Sequence, residues 1–148
     1  MNRELKLALS VVAALALAPV ATQAADGTLV RVSVSNIAKP GGVLLAGAYD
    51  QESTWLGGTT VASIEVPVPA TVTGTLGFEM RLPPGRYALS VFQDMNGNRK
   101  LDTNFIGIPT EQSGSSNNAP ARFGPPKFRD AAFVVGSEAI DLAIRLNC

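Results

Sequence analysis

Histidine is absent from all 148 residues. Its absence removes the side chain best suited to proton transfer near neutral pH and the commonest metal ligand. Ser-His-Asp and Cys-His catalysis are excluded with it, as are His-based zinc sites. Cysteine occurs once, as Cys148, so no disulfide forms within the chain. Stability in an oxidising compartment then rests on a good core or a bound metal. Cys148 itself reads as an incidental exposed thiol; the sharper alternative is covalent dimerisation through it. Aromatic residues are few, with one Trp and two Tyr among them, so there are few rings to stack on sugars. Charge is sparse and balanced, with 12 basic and 12 acidic residues. No basic block stands out, which makes nucleic acid and anionic membrane surfaces poor partners from sequence.

One long apolar run is present, at the start. Arg3 and Lys6 precede Leu7 to Ala18, Pro19 breaks the run, and Thr22-Gln23-Ala24 offers small residues to a signal peptidase. This pattern predicts a signal peptide over residues 1–24 with cleavage near Ala24. The run is too short for a membrane span, which needs about 20 residues. The expected product is a periplasmic or secreted domain over 25–148, with no membrane span in the mature protein. Removing Arg3, Lys6 and Glu4 leaves 10 basic and 11 acidic residues. A segment of this size suits one domain with one core.

Within that segment the apolar period is two. Val30, Val32 and Val34 alternate with Arg31, Ser33 and Ser35. Val43 to Tyr49 follows a Lys39-Pro40-Gly41-Gly42 turn. Ala62, Ile64, Val66 and Val68 alternate again, with Pro67 and Pro69 marking an edge strand, because proline donates nothing to a ladder. Val72 to Leu82 and Tyr87 to Val91 flank the Pro83-Pro84-Gly85 turn, and late strands are expected around 131–135 and 141–146. No helical period is sustained. About seven short strands predict an all-β fold, an antiparallel β-sandwich of immunoglobulin-like or transthyretin-like type, with a small barrel as the alternative. Trp55, in the connector after Tyr49, is expected to cap one end of the core.

The segment 94–128 differs, being rich in Asn, Gly, Pro and Ser. So long a connection is functional, disordered or pinned. Phe105, Ile108, Phe123 and Phe128 are expected to anchor it on the sandwich as one long packed loop. Its start, Asp94-x-Asn96-x-Asn98-x-Lys100-x-Asp102, sets oxygen-bearing groups at alternate positions, as a calcium loop does. Asp94, Asn96, Asn98 and Asp102 would offer side-chain oxygens, Lys100 its carbonyl, and Glu111 would fold back to complete the shell. Against this, Arg99 stands where such a loop wants Gly, and Phe105 where it wants a bidentate Glu. The same residues also build ion-free turns, because Asn and Asp bond nearby backbone. Ca²⁺ is thus the one cofactor expected, with a dissociation constant of about 10⁻⁴ to 10⁻³ M. Ser115-Ser116-Asn117-Asn118 either lines a polar ligand or satisfies loop backbone; the second is expected.

The ordered words Asp94-x-Asn96-Gly97-Asn98-x-x-Leu101-Asp102-Thr103-Asn104, Phe105-x-Gly107-Ile108-Pro109-x-Glu111, Gly114-x-Ser116-Asn117-Asn118 and Gly124-Pro125-Pro126-x-Phe128, after Leu82-Pro83-Pro84-Gly85-x-Tyr87-Ala88, resemble a family of small exported bacterial proteins of unknown function. The resemblance covers nearly all of 25–148 and implies one β-sandwich domain, periplasmic, without an established activity. Gln93 stands where the family carries His, Arg99 where it favours Gly, and Ser113 and Ser115 where it favours aromatics, so no role of those residues carries over.

Two functional readings follow. The first is a non-enzymatic binding or structural accessory module of the envelope, with an unknown envelope or extracellular ligand. The alternative is a hydrolase acting on a glycan through Asp94, Asp102 and Glu111, with a metal assisting. A pocket beside those carboxylates favours the second; side chains bonded to backbone or to an ion favour the first.

Overall fold

The computed structural model describes residues 26–72 and 74–148. The expected signal peptide lies outside them. Among the described residues eight strands form in order: β1 (Thr28–Ile37), β2 (Val43–Tyr49), β3 (Ala62–Pro67), β4 (Gly74–Leu82), β5 (Gly85–Asp94), β6 (Ser113–Ser115), β7 (Phe133–Val135) and β8 (Ile140–Arg145). One helical turn, α1 (Phe128–Ala131), precedes β7. A three-stranded sheet runs β4-β1-β8, and a five-stranded sheet runs β3-β2-β5-β6 with β7 paired to the start of β5. The two pack face to face as a β-sandwich.

The alternation read from sequence places the core. Val30, Val32 and Val34 of β1 face Leu44, Ala46 and Ala48 of β2 and Leu89 and Val91 of β5 within one buried cluster. Ile144 and Leu146 close it from β8 and the residue just beyond that strand. Each such side chain contributes roughly 1.5–3 kcal/mol when taken from water. β3 is an edge strand, as expected from Pro67 at its end and Pro69 just beyond. Most pairings are antiparallel, but β1 and β8 run parallel, with Arg31 beside Asp141. The sheets are tied at one corner, where Ser113 and Asn147 exchange backbone hydrogen bonds of 2.8 Å. Gly114 sits there without a side chain, since a Cβ would lie 2.6 Å from the Arg145 carbonyl oxygen.

Three expectations change. The strand placed at 131–135 begins later, because Phe128 to Ala131 makes a helical turn that buries Phe128 and Ala131. Trp55 does not cap the sandwich core. It packs edge-on against Tyr49 and Phe128, with centroids 5.1 and 6.0 Å apart, in a second cluster with Ala88 and Ala131. Tyr49 and Ala88 are register partners, and their chain neighbours Ala48 and Leu89 point into the core. The second cluster therefore lies on the outer face of the five-stranded sheet. Finally, of the four apolar anchors expected in 94–128, only Phe128 is buried; Phe105, Ile108 and Phe123 are exposed. Around Phe105 and Ile108 the loop backbone is held by its own hydrogen bonds, without those side chains.

Candidate functional site

The long connection divides at β6. Its first part, residues 94–112, leaves the end of β5 and returns as a loop braced from within. Asp94 is 3% exposed. Its Oδ1 accepts the Gly97 N–H and its Oδ2 the Arg99 N–H, each at 2.8 Å. Two peptide groups are thereby folded around one carboxylate. Gly97 and Arg99 both take positive φ, +76° and +60°. Arg99 thus adopts the left-handed turn that glycine supplies most easily. Its guanidinium reaches Glu65 on β3 at 2.7 Å, tying the loop to the sheet edge.

The amides and the other two carboxylates extend the bracing. Asn96 Oδ1 accepts the Asn98 N–H at 3.1 Å, and Asn98 Oδ1 accepts the Lys100 N–H at 3.0 Å. These are successive Asx turns. The side-chain amide groups of both residues donate to Asp102, one to each carboxylate oxygen. Glu111, 8% exposed, folds back as expected, but onto peptide groups: Oε1 accepts the Met95 N–H at 2.9 Å and Oε2 the Asp102 N–H at 3.1 Å. All six residues singled out as ion ligands thus meet in one loop. Five of them, Asp94, Asn96, Asn98, Asp102 and Glu111, accept hydrogen bonds through side-chain oxygens, and Lys100 contributes its N–H. Among the described residues no three His, Cys, Asp or Glu side chains group as a metal site. An ion entering here would compete with N–H donors for every carboxylate oxygen.

Beyond Asp102 the loop projects a tip. Thr103 and Pro109 bridge, and the Asn104 N–H donates to the Ile108 carbonyl at 2.8 Å. Asn104 Oδ1 accepts the Ile106 and Ile108 N–H groups, both at 3.0 Å. The Thr110 N–H donates to the Asp102 carbonyl at 2.8 Å. With its polar backbone satisfied inward, the tip turns Phe105, Ile106 and Ile108 out, and Phe105 is 98% exposed.

Gln93, near the end of β5, is buried. It donates through Nε2 to the carbonyls of Lys39 and Gly41, each at 2.8 Å, and so clamps the β1–β2 turn. Beside it lies a cavity of about 60 Å³ bordered by Lys39, Thr110, Glu111 and Cys148. Ligand pockets are usually several hundred Å³.

The polar run after β6 satisfies backbone, as expected. Buried Ser116 accepts the Leu89 N–H at 2.9 Å and donates to the Ala131 carbonyl. Asn117 donates to the Asp130 and Ala132 carbonyls, fixing α1. Asn118 acts as a missing strand along the free side of β8. Its Oδ1 accepts the Arg145 N–H at 2.8 Å and its Nδ2 donates to the Ala143 carbonyl. Trp55 Nε1 donates to the Pro126 carbonyl at 2.8 Å, holding the return of the loop over the outer cluster. Burial there pushes the Tyr49 phenol above its ordinary pKa.

The internal bracing and the outward tip were only partly legible. Alternating Asp and Asn marked the loop, but apolar character alone did not tell Phe105 from Phe128. The signal that separates them is local: Phe105 follows Asn104, whose side chain folds the tip, whereas Phe128 opens a helical turn over Trp55. Comparison with curated proteins and with solved structures gave no match. The ordered motifs do have a family: the model described as "Uncharacterized protein conserved in bacteria (DUF2141)" matches residues 32–142, three quarters of the chain, and the chain belongs to that family.

Proposed function

We propose that this protein is an exported, non-enzymatic β-sandwich module of the cell envelope that meets its partner through the tip of the 94–111 loop. The observation that carries this reading is the pairing of a rigid backbone with outward apolar side chains. Phe105, Ile106 and Ile108 are exposed together on a tip whose N–H groups are held by Asn104 and Asp102. Exposed apolar residues gathered at one place mark contact sites. A tip already ordered loses little entropy on binding. The glycan hydrolase draws no support from carboxylates held by peptide N–H groups beside a cavity of about 60 Å³. The test is retention of envelope extracts by immobilised protein. The double variant Phe105→Ser, Ile108→Ser is expected to melt like the wild type and to lose the retained material. Equal retention by both would refute the assignment of the tip.

Export rests on the leader read in residues 1–24, and the N-terminal residue of protein recovered from cells tests it. Ala25 is expected; Met1 would contradict it.

Calcium at the same loop is a second proposal. It is supported by the gathering of Asp94, Asn96, Asn98, Asp102 and Glu111 on one turn, with Lys100 among them. Linkage requires a bound ion to raise the melting temperature once its concentration exceeds the dissociation constant. Identical melts in calcium and in chelator would remove it.

A further inference from the structure

We infer that Asn96 is a deamidation site held closed by the hydrogen bonds of its own loop, and that its conversion releases the brace. This concerns the covalent chemistry of the loop and does not depend on what the tip meets.

Asn96-Gly97 is the only place in the chain where glycine follows asparagine. Asparagine is a chemically labile side chain, and a following glycine exposes it most. The glycine nitrogen attacks the side-chain carbonyl carbon with no Cβ in the way. A C–N bond forms, and the side-chain nitrogen leaves as ammonia with the proton that the glycine nitrogen gives up. A succinimide ring remains. Water then opens one of the two imide C–N bonds, giving aspartate or isoaspartate. One water is consumed and one ammonia released, with no change of oxidation state. Water is the only co-reactant, and Asn96 is exposed to it.

The folded loop opposes this reaction at both nitrogens. The attacking one, Gly97 N–H, donates to Asp94 Oδ1 at 2.8 Å. A hydrogen bond to the intact N–H and the negative charge beside it both oppose loss of that proton. Asp94 is buried, so its charge is poorly screened. The leaving nitrogen, Asn96 Nδ2, donates to Asp102 Oδ2. Both bonds must break before ammonia leaves. The Asn98 N–H, donating to Asn96 Oδ1 at 3.1 Å, works the other way, since it would stabilise charge developing on that oxygen. Sterics add no protection: a Cβ on Gly97 would meet nothing within 4 Å. The hydrogen bonds are thus what holds the site closed, and the reaction proceeds as often as the loop opens.

The product disarms the brace. Aspartate at position 96 has no N–H for Asp102 and sets a second carboxylate against it. Isoaspartate also adds a backbone carbon within the run of Asx turns. Opening of the loop therefore makes further opening easier, in one direction only.

The test follows Asn96 by peptide mass mapping while the protein stands at neutral pH, folded and in urea. All samples contain chelator, which removes calcium from the comparison. Conversion in urea should be at least about tenfold faster than in the folded chain. Asp94→Ala, with its fold checked by melting, should speed conversion about tenfold, and Asp94→Asn, which keeps one acceptor oxygen, by less. Where the first does not fold, the second carries the test. The variant Asn96→Asp, which imitates one product, should raise amide exchange at Gly97 and Arg99 about fivefold, through repulsion between carboxylates in contact. Three outcomes overturn the proposal: equal conversion folded and in urea, no acceleration in either folded Asp94 variant, or unchanged exchange at Gly97 and Arg99 in Asn96→Asp.

Discussion

Asp94 and Ser116 hold peptide groups that have no partner in a strand. Both Asp94 oxygens accept N–H groups, from Gly97 and Arg99. Asp94→Ala should lower stability by about 1–3 kcal/mol, because two donors lose their acceptor. Asp94→Asn keeps one acceptor oxygen and should cost less; chemical denaturation of both variants checks the order. Ser116 has no exposed surface and joins the Leu89 N–H to the Ala131 carbonyl. Ser116→Ala strands that N–H inside the protein, so a loss of about 1–3 kcal/mol is expected. At this scale the sequence was legible in kind and not in role. Asp and Asn at alternate positions announce a turn-rich loop. Ion ligation and Asx turns use the same oxygens, so spacing alone does not choose between them. That Ser116 would satisfy backbone was legible; which groups it joins was not, because they meet only when α1 folds beside β5.

Strands with a clear alternation, such as Val30-Val32-Val34 in β1, were legible because one face must be buried. β6 was not: Ser113-Gly114-Ser115 carries no apolar pattern, and its place depends on Gly114 fitting under the Arg145 carbonyl. Gly114→Ala should therefore weaken the corner that joins the sheets. A loss of about 1–3 kcal/mol is expected from overpacking, read by denaturation. The parallel pairing of β1 and β8 was equally invisible, since alternation does not encode strand direction. It sets Arg31 beside Asp141 at 2.7 Å. The hydrogen bond from Arg31 holds the Asp141 carboxyl below its ordinary pKa, with the charge of Arg31 adding to it. A depressed carboxylate stabilises the folded chain above its unfolded pKa, and that contribution is lost as pH falls through the folded one. Both side chains are well exposed, so salt should weaken the effect. Titration by NMR should place Asp141 below an ordinary aspartate, and Arg31→Ala should return it toward the usual value.

The whole molecule separates what folds it from what it displays. One cluster fills the space between the sheets, and a second, around Trp55 and Phe128, covers the outer face of β2 and β5. Leu89→Ala in the first should cost about 2–5 kcal/mol. Phe105→Ser and Phe123→Ser, both at exposed positions, should fall within about 0.5 kcal/mol of the wild type. Large apolar residues that contribute nothing to folding are available for contact, and the braced loop keeps three of them in place. Amide hydrogen exchange in chelator reads that bracing most directly. The Met95, Gly97, Arg99 and Asp102 N–H groups should exchange slowly without calcium, and Asp94→Ala should release those of Gly97 and Arg99. Fast exchange at all four positions in chelator, with protection only after calcium is added, would contradict a loop held by its own side chains.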